Sequence, residues 1–145
     1  MIPDFYDGVF LPEGEHEATW DEIDVRFGQS SDQRKSLSAR LKQFLDIAQG
    51  CQFIKVYIFG SFTSAKPKEP SDIDLLWVYR EGLNLDSLSF ECRQLLNYTA
   101  MKEREKWDMF CCSDDPFCVT YMLSGWRKDK NAERTPRGMV LIHLR

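Results

Sequence analysis

The chain has 145 residues, of which 43% are hydrophobic, and its formal net charge is −4. This length and apolar content predict one domain with a single core. The acidic balance argues against a protein that grips DNA or RNA of any sequence, because that function needs a surplus of basic side chains. No segment approaches the roughly 20 apolar residues of a membrane span, so we expect no membrane association.

The cysteine usage favours free thiols. There are five cysteines, an odd number, with no C-x-x-C pair, and their spacing does not suit a zinc site. They are Cys51, Cys92, Cys111, Cys112 and Cys118. The first residues also lack the basic start and apolar stretch of a signal peptide. We therefore expect reduced, mostly buried thiols in a cytoplasmic protein.

The N-terminal part of the chain predicts an irregular arm and then two helices. Residues 1–18 are rich in proline, glycine and acidic side chains and form the arm. A capping box at Thr19-x-x-Glu22 begins a short helix over about residues 20–27. A similar Ser-x-x-Gln signal at Ser30 begins a longer helix over about residues 31–49.

The middle of the chain predicts two strands joined by a glycine-serine turn. An apolar run over about residues 52–59 ends at Gly60-Ser61, and a proline-containing loop leads to a second run over about residues 72–79. The remaining elements are a helix from Asn84 or Asp86 to about residues 98–103, a strand over about 107–111, a helix from Asp115-Pro116 to about Trp126, a charged loop over 128–137 and a strand over 138–144. This order predicts an α/β (α+β) fold with helices packed against a sheet.

Two acidic residues open the second strand of this pair. Successive strand side chains alternate between faces, so Asp72 and Asp74 are expected on one face. Neighbouring like charges repel, and a divalent cation between them would relieve that repulsion. Ligands that are all oxygen suit Mg²⁺ or Mn²⁺ rather than zinc. The alternative is that Asp72 is a turn residue and Asp74 lies on a solvated face.

Asp108 is the candidate for a third carboxylate. It stands between Trp107 and Met109 in a predicted strand, where an acid is otherwise hard to accommodate. A strand beside the one that Asp74 opens would bring Asp108 to the acid pair. The alternative is an acid on an edge strand that faces water.

The glycine-serine turn is a candidate phosphate site. Gly60 allows close approach of the backbone to a ligand, and a short helix beginning at Ser61 or Phe62 would offer its first N–H groups to an anion. Lys66 lies in the following loop and could neutralise a triphosphate, although exposed loop lysines are common. A phosphate cradle facing metal-binding carboxylates is the layout for metal-assisted nucleotidyl transfer.

The sequence from Gly60-Ser61 to Asp72-Ile73-Asp74 resembles the signature of the DNA polymerase β nucleotidyltransferase superfamily. The small bacterial minimal nucleotidyltransferases, which are often antitoxin partners, are nearest in size. The resemblance implies a mixed sheet in which Gly60 and Ser61 hold the triphosphate. It also implies that Asp72, Asp74 and a third acid from a later strand hold two metal ions. If Asp108 is that acid, the resemblance gives it the role of general base.

A second resemblance lies at residues 10–22, Phe-Leu-Pro-Glu-Gly-Glu-His-Glu-Ala-Thr-Trp-Asp-Glu. This segment is similar to the leading segment of a bacterial family of unknown function, in which it precedes a Gly-Ser-Phe…Asp-Ile-Asp core. The similarity supports the fold more than any chemistry.

These observations predict a small metal-dependent nucleotidyltransferase. It would use Mg²⁺ or Mn²⁺ and a nucleoside triphosphate to modify a hydroxyl of a protein, a tRNA or a small molecule. The resemblance suggests a toxin–antitoxin or defence setting with a toxin as protein partner. The alternative is an inactive binding protein on the same scaffold that neutralises a partner by forming a complex, and a nucleotide-sensing domain is a third reading.

Overall fold

Five strands form one mixed sheet in the computed structural model, which describes residues 1–124 and 138–144. They are β1 (Gly14–Glu17), β2 (Phe53–Phe59), β3 (Asp74–Tyr79), β4 (Met109–Ser113) and β5 (Gly138–His143). The spatial order is β1-β5-β2-β3-β4. The predicted α/β (α+β) class, with helices against a mixed sheet, is confirmed.

The direction of the strands decides which ends meet. β2 and β3 are antiparallel and β3 and β4 are parallel, so the start of β3 lies between the end of β2 and the start of β4. In register terms, Phe59 pairs with Asp74, and Leu75 pairs with Met109. The glycine-serine turn and the acidic residues therefore lie at one end of the sheet.

Five helices surround the sheet in the described part of the chain. They are α1 (Trp20–Phe27), α2 (Asp32–Gln49), α3 (Phe90–Leu95), α4 (Tyr98–Glu105) and α5 (Pro116–Ser124), with short 3₁₀ turns at Ser61–Thr63 and Leu85–Ser87. The capping box at Thr19 and the predicted end of α1 at Gly28 are confirmed. The N-cap of α2 is Ser31, one residue after the predicted position, and it accepts from the backbone N–H of Arg34. No helix of the described residues has both the length and the apolar content to cross a membrane.

Each face of the sheet has its own buried cluster. The larger cluster packs the side chains of α1 to α4 against strand residues such as Val56, Leu75 and Trp77. The smaller one packs Val119 and Leu123 of α5 against the opposite face. Inner strands covered on both faces read as continuous apolar runs. For this reason β5 is buried at five of its six residues.

The arm and the helix after β3 differ from the sequence-based expectation. Residues 14–17 of the arm form β1, which pairs in parallel with β5 at the sheet edge. The helix predicted from Asn84 or Asp86 is broken into the 3₁₀ turn, α3 and α4. The oxygens of Ser89 and Asn97 accept from the backbone at the starts of α3 and α4. These local side-chain bonds replace continuation of the helix.

Two strand starts and two cysteines also differ. β3 begins at Asp74 and β4 at Met109, because pairing begins there, so Asp72 and Asp108 precede their strands. Cys51 and Cys92, expected as free thiols, form a disulfide that joins the end of α2 to α3. Cys111, Cys112 and Cys118 are free. The predicted extension of the last helix to Trp126 and the charged loop over 128–137 lie outside the described residues.

Candidate metal centre

Three carboxylates converge at the shared end of β2, β3 and β4. One oxygen from each of Asp72, Asp74 and Asp108 lies within 4.8 Å of the others, and all three residues are partly buried. Asp74 is the first residue of β3, and Asp108 immediately precedes β4. The backbone N–H of Leu75 donates to the carbonyl of Asp108 at 2.9 Å, which fixes the two chain segments side by side. The three predicted acids are therefore together.

The cluster is electrostatically unfavourable by itself. Burial raises the pKa of Asp72, and the charge of Asp108 raises it further, while Lys102 opposes both effects. Three carboxylate oxygens at this spacing are a donor set for a hard divalent cation such as Mg²⁺ or Mn²⁺. The residues present thus suit such an ion.

Two side chains of α4 contact Asp108, and no pattern in the sequence indicated either of them. The Tyr98 hydroxyl donates to Asp108 Oδ1 at 2.8 Å, and Lys102 Nζ lies 3.1 Å from the same oxygen. These contacts raise the pKa of both Tyr98 and Lys102. The Tyr98 ring also stacks on Phe110 with centroids 5.2 Å apart. Tyr98 and Lys102 are four residues apart, which places them on one helix face, but nothing local indicates that this face meets Asp108.

One of the acids, Asp74, lies against the glycine of the glycine-serine turn. Gly60 has φ 89° and ψ −164°, a region essentially reserved for glycine. A Cβ on Gly60 would lie 3.2 Å from Asp74 Cγ and closer still to its Oδ2. The predicted short helix is present as the 3₁₀ turn Ser61–Thr63, whose first N–H groups have no acceptor within the turn. Gly60 therefore lies beside the Asp74 carboxylate, and Ser61 follows it in the turn.

The guanidinium of Arg34, on α2, holds this turn through its backbone carbonyls. Its Nη1 donates to the carbonyls of Phe27 and Phe62 at 3.0 and 2.8 Å, and its Nη2 donates to Ser64 at 3.0 Å and Ser61 at 3.5 Å. Only 6% of Arg34 is exposed, and burial lowers its pKa while the charge of Glu69 opposes that effect. An arginine remains protonated in such a setting. The sequence did not indicate this contact, because Arg34 sits in a polar stretch of a surface-like helix.

Lys66 and three other polar residues, in the turn and the N-terminal segment, have local partners. Lys66 Nζ lies 5.6 Å from the centre of the Phe10 ring, so its predicted contact with a triphosphate stays a prediction. The hydroxyls of Thr63 and Ser64 donate to carbonyls of their own turn, as a helical cap would. The ring of His16 donates to the carbonyl of Pro12 at 2.7 Å, in keeping with a structural role.

Comparison with known proteins places the chain in a family. A model described as "Family of unknown function (DUF6932)" matches residues 3–143. The chain belongs to this family. No curated protein and no solved structure matches the chain.

The region that matches the DUF6932 family model includes the whole candidate site. The matched region contains Gly60, Ser61 and all three acids, together with the N-terminal segment over residues 10–22. The family description names no activity, so the chemistry has to be argued from the geometry.

Proposed function

We propose that this protein is a metal-dependent nucleotidyltransferase that transfers a nucleotidyl group from a nucleoside triphosphate to a hydroxyl group. The observation that carries the proposal is the convergence of three carboxylates beside the Gly60 turn. Three acids alone have many explanations. An acidic cluster in which Asp74 lies against a glycine-only turn, together with the sequence signature described above, is what we expect of a metal and phosphate site.

Each residue has a distinct part in this proposal. Asp72, Asp74 and Asp108 would hold Mg²⁺ or Mn²⁺, which when bound offsets the negative charge of the phosphates and of the reacting oxygens. Gly60 and Ser61 would present backbone N–H groups and a hydroxyl to the triphosphate. The resemblance to the nucleotidyltransferase superfamily gives Asp108, which precedes β4, the role of general base, so it would accept the proton of the attacking hydroxyl.

The net charge of the chain limits the class of acceptor. A net charge of −4 disfavours long nucleic acid as acceptor and leaves a protein, a small molecule or a tRNA end. Because the chain resembles the minimal nucleotidyltransferases, which are often antitoxin partners, a partner toxin is the protein acceptor that we favour. The Cys51–Cys92 disulfide removes the expectation of reduced thiols as an argument for the cytoplasm. We retain the cytoplasm as the proposed compartment only because the reaction consumes a nucleoside triphosphate.

The test is binding followed by labelling. In thermal melts, Mg²⁺ or Mn²⁺ with one of the four nucleoside triphosphates should raise the Tm of the wild type. Asp74→Asn should abolish this rise, whereas Asp46→Asn, which alters an exposed acid of α2 paired with Lys42, should keep it. Transfer of label from an α-labelled triphosphate to a partner should require both metal and Asp74. A wild type that responds to none of the four triphosphates with metal would contradict the proposal.

The second candidate is a binding protein of the antitoxin type on the same scaffold. Phe117 and Tyr121, one turn apart on α5, are 86% and 78% exposed, and exposed aromatics mark protein-binding surfaces. Under this alternative, Asp72→Ala and Asp74→Ala should still neutralise the partner. Under the enzyme hypothesis they should not.

A further inference from the structure

Asp108 receives two donors on a single oxygen. Lys102 Nζ and the Tyr98 hydroxyl both contact Oδ1, at 3.1 and 2.8 Å. Tyr98 donates a neutral hydrogen bond and orients the carboxylate. Lys102 brings a full positive charge to the place where the cation of the proposed site would bind.

Lys102 is also free to leave. Its side chain is 44% exposed, whereas that of Asp108 is 29% exposed. A lysine ammonium is a compact charge on a flexible stem, so it can exchange one anionic partner for another by side-chain rotation. The charge of Lys102 also lowers the pKa of Asp72, so it acts on two of the three acids.

We propose that Lys102 changes partner as the site fills: it is the internal counter-ion of the acidic cluster before metal binds, and it contacts the phosphates of the metal-bound nucleotide afterwards. This inference rests on the proposed function. The physical reason is charge. A divalent cation and the ammonium compete for the same carboxylates, so Lys102 weakens binding of the metal alone. A polyphosphate that arrives with the metal reverses the sign, because Lys102 then attracts it.

The opposite effects of Lys102 on the two affinities, for the metal alone and for the metal with polyphosphate, distinguish this role from a structural one. A lysine that only supports the fold would, when removed, weaken both binding events or neither. The pair of Lys42 with Asp46 on α2 offers a matched control, because its N–O distance is also 3.1 Å and its lysine is similarly exposed. Lys42→Met removes the same charge from a lysine that pairs with Asp46 and with none of the three clustered acids.

The experiment measures two affinities by calorimetry. The first is for Mn²⁺ alone, and the second is for inorganic tripolyphosphate in the presence of saturating Mn²⁺, which avoids any preference for a base. We expect Lys102→Met to bind Mn²⁺ about tenfold more tightly and the metal–tripolyphosphate complex about tenfold more weakly. Lys42→Met should change neither affinity by more than about twofold. Lys102→Gln, a second uncharged variant, should give the same signs if the methionine variant folds poorly.

The outcomes are distinguishable. A wild type that binds neither Mn²⁺ alone nor tripolyphosphate with Mn²⁺, or in which Asp72→Asn leaves both affinities unchanged, would remove the proposed function and this inference with it. The role of Lys102 alone would be overturned if Asp72→Asn weakens Mn²⁺ binding but Lys102→Met fails to bind Mn²⁺ more tightly or fails to bind the metal–tripolyphosphate complex more weakly. Both changes together would support it.

Discussion

Two features of Gly60, its backbone conformation and its contact with Asp74, each exclude a side chain at this position. Its backbone has φ 89°, and the position of a Cβ is taken by the carboxylate of Asp74. The absence of a side chain is what allows the turn and the acid to touch. The same contact places the backbone of Gly60 beside the Asp74 carboxylate.

Gly60→Ala should therefore be costly, and Gly82→Ala provides the control. Gly82 also has a positive φ, 80°, but a Cβ there would meet nothing within 4 Å. We expect Gly82→Ala to lower the free energy of unfolding by about 1 kcal/mol through backbone strain alone. Gly60→Ala should lower it by about 3 kcal/mol, since steric overlap with Asp74 adds to the strain.

Urea denaturation measures both values, and Mn²⁺ calorimetry provides the functional readout. Metal affinity should fall for Gly60→Ala and remain unchanged for Gly82→Ala. Equal losses of stability in the two variants would show that the contact with Asp74 does not matter.

At the scale of elements, α2 and α4 each hold one part of the site. α2 holds the glycine-serine turn through Arg34, and α4 holds Asp108 through Tyr98 and Lys102. The two helices are themselves tied by Arg40, whose Nε and Nη2 donate to Glu105 at 2.8 Å each. The site thus depends on how these helices dock on the sheet.

Removal of the guanidinium of Arg34 should loosen the turn. Arg34→Met leaves the carbonyls of Phe62 and Ser64 buried without that donor, so we expect a loss of about 3 kcal/mol in the free energy of unfolding. Arg34→Lys should recover only part of it, because one ammonium cannot span the carbonyls that the planar fork reaches. Lys35→Met, at an exposed neighbour on the same helix, should stay within about 0.5 kcal/mol of wild type.

Denaturation curves give these differences, and binding of tripolyphosphate with Mn²⁺ gives the consequence for the turn. Arg34→Met should weaken that binding even at temperatures where the variant is folded. Unchanged binding in the folded variant would mean that the turn keeps its shape without Arg34.

At the scale of the whole molecule, the disulfide ties together regions that are distant in sequence. Cys51 follows α2 and Cys92 lies in α3, with a sequence separation of 41 residues. Between them run β2, the glycine-serine turn and β3. The cross-link therefore encloses the part of the chain that carries two of the three acids.

Loss of this cross-link should destabilise the fold. For a loop of this length, restriction of the unfolded chain predicts that the double variant Cys51→Ala/Cys92→Ala loses about 4 kcal/mol. A reducing agent should lower the stability of the wild type to nearly that of the double variant and leave the variant itself unchanged. Cys118→Ala, which removes an exposed free thiol, should retain the full response to the reducing agent.

Thermal melts with and without reductant, together with thiol counting, measure this effect. A wild type in which all five thiols react before reduction would contradict the disulfide.

The sequence by itself determined the features that depend on near neighbours. The capping box at Thr19, the glycine-only turn at Gly60 and the acid pair at Asp72 and Asp74 each involve residues a few positions apart. Local geometry decides whether such residues cooperate, so their spacing is informative. The fold class followed from the order of these local signals.

Only the tertiary structure decided which distant residues meet. Asp108 joins the acids because β4 pairs in parallel with β3, and the same docking brings Lys102 to it. The disulfide of Cys51 and the pairing of β1 with β5 are likewise set by register and docking. Contacts between segments far apart in the chain depend on how every intervening element packs, and no short stretch of sequence contains that information.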